Sequence, residues 1–230
     1  RLADDAHWIH VGQFGAFMDA VRTTGARDAV MAGQITPTSL FRVRMDRAMF
    51  ELLAGLKARN AHTIFGAVGE RLTAAGVTLR PAHLFMEKAM PVPGLLARRP
   101  PDERERSDIE IGRRVARATS AHEVGQTVVV KEGTILAVEA FEGTDAAIRR
   151  GADLGGPGIV VVKTAKIGHD MRFDIPVIGL HTLKILRKVR ASALAVEAGR
   201  TILLERERIV EEADRMNLCL LAYESGGSNE

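Results

Sequence analysis

Apolar positions in the first ninety residues recur at helical spacing in three places. Phe14, Phe17, Met18 and Val21 share one face of a helix expected over 12–24. Asp46 stands where an N-cap belongs, ahead of Met49, Leu52, Leu53 and Leu56 on a second apolar face. A third helix, expected over 62–75, ends at Gly76, a residue suited to the left-handed backbone of a helix terminus. Two short strands are expected between these helices: a buried one over 28–33 that ends in a glycine turn, and one over 77–80 stopped by Pro81. The alternation is an α/β layout, shorter than a complete doubly wound domain.

The stretch 98–106 reads RRPPDERER, with two adjacent prolines and no apolar anchor, and is expected to be an extended, solvated connection. Beyond it a helix begins at Ser107 or Asp108 and carries Ile109, Ile111, Val115 and Ala116. Strands over 126–130 and 134–140 flank Lys131-Glu132-Gly133, a hairpin signal. A helix over 144–150 follows, then a continuous β-branched run at 159–162 of the kind buried on both faces of a sheet. The pattern continues with a helix over 181–190, strands over 193–196 and 201–204, a helix over 206–217 and a closing strand over 218–223. Ile209, Val210, Ala213 and Met216 face inward from the last helix. The expected fold is two-domain α/β, with a Rossmann-like unit at 1–97, a linker at 98–106 and an α/β domain with a mixed sheet at 107–224. Residues 225–230 are expected to be a disordered tail.

Composition narrows the function classes. The 230 residues are 46% apolar and 27% charged, which permits a substantial core with no disulfide or metal staple. A net charge of +3 and a pI near 9.3 suit an anionic ligand or an acidic membrane surface without demanding nucleic acid. Aromatic residues are 4%, which argues against base-stacking platforms. The single cysteine, Cys219, sits in an apolar run and reads as a buried thiol; with no intrachain disulfide possible, a reducing compartment is favoured. No apolar stretch is long enough to span a bilayer and no signal peptide is visible. The chain starts at Arg1, so an original N-terminal segment is expected to be missing.

Two stretches carry candidate chemistry. The run from Lys163 through Lys166, Asp170, Arg172 and Asp174 to Pro176 directly follows the buried strand, where ligands collect in open α/β sheets. Its cations can neutralise phosphates, Arg172 in bidentate fashion, while Asp170 and Asp174 can hold a hard divalent cation. The alternative is a solvated loop with a local Asp170–Arg172 salt bridge. The second stretch places Glu139, Glu142 and Asp145 where a strand gives way to a helix, an economical site for a metal or a general base. There Thr144 is a candidate helix cap and Asp145 suits the positive end of the helix dipole. The glycine-rich run at 155–158 precedes a strand rather than a helix and reads as a turn, not a phosphate cradle. His122, His169 and His181 lack partners at zinc-ligand spacing. Lys184, Arg187, Lys188 and Arg190 form a basic helical face that is either a solvated surface or a weak attraction to anionic lipid.

The stretches VGQTVVV at 124–130, AVEAFEGTDAAIRR at 137–150, VVKTAKIGHDMRFDIPVIG at 161–179 and AVEAGRTILLERERIVEEADRMNL at 195–218 resemble a known family. They are similar to the UDP-2,3-diacylglucosamine pyrophosphatases of lipid A biosynthesis, of the LpxI type. WIHVGQFG at 8–15 and VMAGQI at 30–35 resemble that family's first domain more loosely. The family opens on a glycine-rich strand-turn-helix segment that this sequence does not show, so its first domain is expected to be incomplete. The resemblance implies magnesium-dependent water attack on the α-phosphorus of UDP-2,3-diacylglucosamine, yielding UMP and the acylated sugar 1-phosphate. It further implies a homodimer in the cytoplasm, peripheral at the inner-membrane surface, with no nucleic-acid partner. On these positions, Asp174 and Asp170 are the first candidates for metal binding or water activation, and Glu139, Glu142 and Asp145 the second. Lys163, Lys166, Arg172 and Thr144 would bind substrate. The competing function is a non-catalytic nucleotide-sugar or acyl-lipid binding protein using the same basic loop.

Overall fold

The computed structural model describes residues 3–33, 44–58, 60–122, 124–166, 168, 170–173 and 175–225. It divides into two compact units, residues 1–84 with 170–174 and residues 85–169 with 175–230.

The first unit contains helices α1 (Phe14–Thr24), α2 (Arg47–Ala54) and α3 (Ala61–Ala74) and a parallel pair of strands, β1 (Asp28–Val30) and β2 (Thr78–Arg80). Asp46 caps α2 as the pattern predicts, accepting the Met49 N–H at 2.8 Å. Its other carboxylate oxygen accepts the Gly15 N–H at 2.7 Å, so one side chain serves the amino ends of two helices. Asn60 caps α3 in the same manner. Phe14, Met18, Leu52, Leu53, Leu72, Val77 and Leu79 form the core. The strand expected to be buried over 28–33 is shorter and mostly exposed. In a two-stranded sheet no strand is flanked on both edges, so only Ala29 is half-buried. The segment 170–174 was expected within the second domain and instead groups with this unit. Phe173 is its anchor: the ring lies 5.8 Å from those of His62 and Phe65, and the Ala82 N–H donates to the Met171 carbonyl.

The second unit is built on a six-stranded mixed sheet. Its strands are β3 (Gly94–Leu95), β4 (Thr127–Lys131), β5 (Thr134–Val138), β6 (Val160–Lys163), β8 (Ala193–Glu197) and β10 (Cys219–Tyr223). The order is β3-β10-β8-β6-β4-β5, with β6, β8 and β10 mutually parallel and the flanking strands antiparallel. A separate parallel pair joins β7 (Val177–Ile178) to β9 (Ile202–Leu203), so the strand expected over 201–204 lies outside the main sheet. Helix α4 (Glu103–Ser120) covers one face through Ile109 and Ala116, against Val128, Val130, Val160 and Val162. Helices α5 (Thr144–Gly155), α6 (Leu180–Val189) and α7 (Arg206–Arg215) belong to the opposite face, where Ile148, Leu186 and Ile209 join Val129, Val161, Leu194 and Leu220. Alternate residues of each buried strand therefore serve opposite cores, which explains why these runs are apolar throughout.

Glycines set how closely the helices approach. A Cβ on Gly112 of α4 would stand 2.5 Å from Val162 Cγ2, and one on Gly151 of α5 would stand 2.6 Å from Val129 Cγ1. The hairpin turn between β4 and β5 has positive φ at both Glu132 and Gly133, as a type I′ turn requires. The buried Asp108 carboxylate accepts both of their backbone N–H groups, at 2.9 and 2.7 Å.

The stretch 98–106 is not a solvated connection. Asp102 accepts the Glu105 N–H at 2.7 Å while Glu105 accepts the Asp102 N–H at 2.9 Å, a capping box that starts α4 four residues ahead of Ser107. Glu105 is buried and takes two hydrogen bonds from Arg99, at 3.0 and 2.7 Å. Burial, the largest influence, pushes its carboxyl upward, but the hydrogen bonds from Arg99, the Asp102 N–H and Ser192, with the Arg99 charge, together hold it below the ordinary range. Apart from Ser225, the expected disordered tail lies outside the described residues. Among those residues no helix is long and apolar enough to cross a membrane.

The glycine contacts give a stability prediction. Gly112→Ala and Gly151→Ala each force a methyl into the sheet and should lower stability by about 1–3 kcal/mol in urea unfolding. Gly66→Ala, on α3 with nothing within 4 Å of the added carbon, should instead raise it by about 0.5–1 kcal/mol.

Candidate active site

In the second unit the apolar runs of β6, β8 and β10 end on Lys163, Glu197 and Tyr223, and all three side chains are buried. Five of the nine buried polar or charged residues among those described (Thr127, Lys163, Thr164, Glu197 and Thr201) lie at or just beyond this end of the sheet. That concentration marks the carboxyl ends of the parallel strands as the chemical end of the unit.

Two hydrogen-bond networks organise it. In the first, Lys163 Nζ donates to Thr144 Oγ1 at 2.8 Å and the Thr144 hydroxyl donates to Glu139 Oε1 at 3.0 Å. Thr127 Oγ1 lies 3.3 Å from the same hydroxyl. Glu139 Oε2 is buried with no hydrogen-bond partner among the described residues. The main chain of Glu139 is held by its N–H bond to the Thr127 carbonyl and by Gly125, where a Cβ would stand 2.1 Å from the Glu139 carbonyl oxygen. Thr144 was expected to cap α5, but the cap is Gly143, at φ 84°, with no side-chain hydrogen bond. The hydroxyl is drawn to the buried lysine and carboxylate instead. Because no side chain caps α5, its first N–H groups form a positive terminus beside Lys163, a setting suited to an anion.

In the second network Glu197 Oε2 accepts the Thr164 hydroxyl at 2.8 Å and the Ala165 N–H at 2.7 Å. Glu197 Oε1 lies 3.7 Å from Arg200 Nη1, and Arg200 Nη2 donates to the Lys166 carbonyl at 3.0 Å. The Tyr223 hydroxyl donates to the Lys163 carbonyl at 3.0 Å, and Arg113 lies over the Tyr223 ring at 4.5 Å. Glu197, Arg200, Tyr223 and Thr127 escaped the sequence reading. The available signal was the polar residue that ends each apolar run, as in VVVK and ALAVE.

The other described acidic candidates, Glu142, Asp145 and Asp170, each face a basic partner. Glu142 pairs with Arg150 at 2.5 Å, which holds its carboxyl below the ordinary range. Asp145 lies in the first turn of α5, as expected, 3.1 Å from His181 Nε2. In the first unit both oxygens of Asp170 are engaged by the Arg172 guanidinium, in three hydrogen bonds at 2.6–3.0 Å, and the Arg172 backbone N–H adds a fourth at 3.0 Å. This is the local salt bridge weighed above as the alternative. Asp174 and His169 lie outside the described residues. Cys219 is fully buried, and burial pushes its thiol up to about 11, which rules it out as a nucleophile at neutral pH.

The donor set gives a partial fit to magnesium. Among the described residues no three His, Cys, Asp or Glu side chains are grouped to hold a metal. Magnesium needs only one or two carboxylates beside water and substrate oxygens, and the orphaned Glu139 Oε2 is one such donor.

The Arg172–Asp170 pair yields a pH prediction. The guanidinium lowers the Asp170 pKa, so the pair's contribution to stability is complete above the unfolded-state pKa and is lost as pH falls through the lower folded value. Carboxyl NMR should find Asp170 titrating below the ordinary range, and Arg172→Ala should return it upward.

Comparison with known proteins agrees with the two-part architecture. Residues 92–221 match the family model described as the LpxI C-terminal domain, and residues 1–89 match the LpxI N-terminal domain. A protein named UDP-2,3-diacylglucosamine pyrophosphatase LpxI, from Caulobacter vibrioides, is 28% identical over 229 residues, covering 94% of this chain and 81% of its own length. With the C-terminal model alone spanning more than half of the residues, the chain belongs to the LpxI family.

Proposed function

We propose that this protein hydrolyses the pyrophosphate bond of UDP-2,3-diacylglucosamine to UMP and 2,3-diacylglucosamine 1-phosphate, in lipid A biosynthesis. Family membership places it among hydrolases acting on a phosphoric anhydride. The observation that carries the reading is the buried Lys163–Thr144–Glu139 network at the amino end of α5, which links a cation and a helix terminus to a carboxylate whose other oxygen has no hydrogen-bond partner among the described residues.

The reaction asks for positioning and charge neutralisation rather than covalent chemistry. Water attacks the α-phosphorus, the bond to the bridging oxygen breaks, and that oxygen leaves with the acylated sugar 1-phosphate. The water's proton passes to a carboxylate. Lys163 and Lys166 neutralise phosphate oxygens, and Thr144 holds the Lys163 ammonium in place. Magnesium, when bound, would offset the negative charge that repels the attacking water. Glu139 is the residue proposed to hold it in this unit. Glu142 and Asp145 rank behind, because Arg150 and His181 already engage them. For Asp170, Asp174 and Arg172 the support is the family resemblance. The two aspartates are proposed as metal-binding or water-activating groups and Arg172 as a phosphate clamp. We also assign to this reading a homodimer, peripheral at the inner-membrane surface. Lys184, Arg187, Lys188 and Arg190, all exposed at α6, supply positive charge for that contact.

The purified protein should release UMP from UDP-2,3-diacylglucosamine with magnesium present and lose that activity in chelator. Asp174→Ala and Asp170→Ala should each reduce turnover by about 10²–10⁴-fold. Near-normal turnover in both variants overturns their assignment. Tight binding of intact substrate by the wild type, without turnover, points instead to a nucleotide-sugar carrier.

A further inference from the structure

We infer that Glu197 and Arg200 are positioning residues that hold the segment after β6 so that Lys163 and Lys166 meet the diphosphate at a fixed spacing. This rests on the proposed pyrophosphatase reading and extends it to two residues from a separate part of the chain.

Glu197 is 6% exposed at the end of β8, next to β6 in the sheet. One carboxylate oxygen takes both the Thr164 hydroxyl and the Ala165 N–H, the two groups that follow Lys163. The other oxygen faces Arg200, whose guanidinium holds the Lys166 carbonyl. Residues 164–166 are thus fixed at both ends by one acid–base couple. The Tyr223 hydroxyl secures the Lys163 carbonyl from β10, the strand on the far side of β8. Three parallel strands therefore converge on four consecutive residues that contain two of the proposed phosphate-binding lysines.

A buried carboxylate is a demanding way to terminate a strand, since its charge must be matched by donors. Purely apolar packing would close the sheet equally well. What the carboxylate adds is direction: it accepts a backbone N–H and a hydroxyl at adjacent residues, which fixes both the path and the rotation of the chain there. Lysine ammonium groups sit on long, flexible stems, so the spacing they present depends on how firmly their backbone is held. A displacement of about 1 Å at a reacting group can reduce rate by about 10²-fold.

The geometry makes Glu197→Gln and Glu197→Ala unequal. Glutamine can place its carbonyl oxygen where Oε2 lies and keep both contacts to residues 164–165, whereas alanine loses them. Steady-state turnover of UDP-2,3-diacylglucosamine and calorimetric binding of inorganic pyrophosphate would be measured for wild type, both variants and Arg200→Ala. We expect Glu197→Ala to lose about 10²-fold in kcat/KM and to bind pyrophosphate more weakly. Glu197→Gln should stay within about three-fold of wild type, and Arg200→Ala should fall between them. Wild-type kcat/KM in Glu197→Ala or Arg200→Ala overturns the inference. So does an equal loss in Gln and Ala variants that matches their loss of folded protein. If Glu197→Ala does not fold, the Arg200→Ala and Glu197→Gln comparison decides: equal activity and equal pyrophosphate affinity sink the proposal. A wild type that binds pyrophosphate but does not turn over the nucleotide sugar would instead refute the pyrophosphatase reading, and the binding comparison would still test Glu197.

Discussion

The carboxyl ends of β6, β8 and β10 are constrained by buried polarity. Each strand runs through the core as apolar residues and then places Lys163, Glu197 or Tyr223 out of contact with water. A buried charge without a partner costs several kcal/mol, so each of these side chains must be met by groups of matching polarity. The groups that meet them are Thr144 for Lys163, Thr164 and Ala165 for Glu197, and the Lys163 carbonyl for Tyr223. All but the Lys163 carbonyl, which ends β6, lie on a loop or at a helix start. Moving a loop would strand a buried charge or hydroxyl, so the polar end of the sheet is stiff where an ordinary loop cluster is not.

The opposite end of the same strands follows the same logic with one guanidinium. Arg99 donates to Glu105 in the first turn of α4, to the Ser192 carbonyl just before β8 and to the Asn217 carbonyl just before β10. Asp108, one turn further along α4, holds the β4–β5 hairpin turn. Polar pins therefore sit at both ends, while the middle is apolar and set by the close approach of Gly112 and Gly151 to valines. The pins fix register along the strands and the glycines fix distance across the layers, two separate requirements for holding a site to sub-ångström tolerance.

Legibility in the sequence tracks how local each interaction is. The capping of α2 by Asp46, the 131–133 hairpin and the β-branched run before Lys163 are all readable because their signals fall within a few residues. Helix α4 was misplaced although Asp102 and Glu105 have capping-box spacing, because the dense charge around them imitates a solvated linker. Strands β3 and β7 are two residues each and leave no periodic trace. Phe173 draws its polar neighbours to the first unit through rings on α3, more than a hundred residues away. Glu197 reads as a routine surface acid until its partners, about thirty residues earlier in the chain, are known. Charge placed just beyond strand ends located the two candidate stretches, but no sequence pattern says which carboxylate is already satisfied.

That last distinction narrows the chemistry. A carboxylate can ligate a cation or take a proton from water only with lone pairs not already occupied. Glu105 and Asp170 are each held by an arginine through several hydrogen bonds, and Glu142 by Arg150. Asp108 and Glu197 are taken up by main-chain donors, Glu197 with a threonine hydroxyl besides. Glu139 differs in kind: one oxygen takes the Thr144 hydroxyl, and the other is buried without a hydrogen-bond partner among the described residues. Its backbone is also among the most tightly placed, with Gly125 packed against its carbonyl. A fixed carboxylate linked through a hydroxyl to a buried lysine, with one oxygen unbonded among the described residues, keeps lone pairs that can ligate a cation. In the proposed hydrolysis the second unit therefore supplies an acid of its own in Glu139, in addition to the aspartates assigned to that reaction from the 170–174 segment.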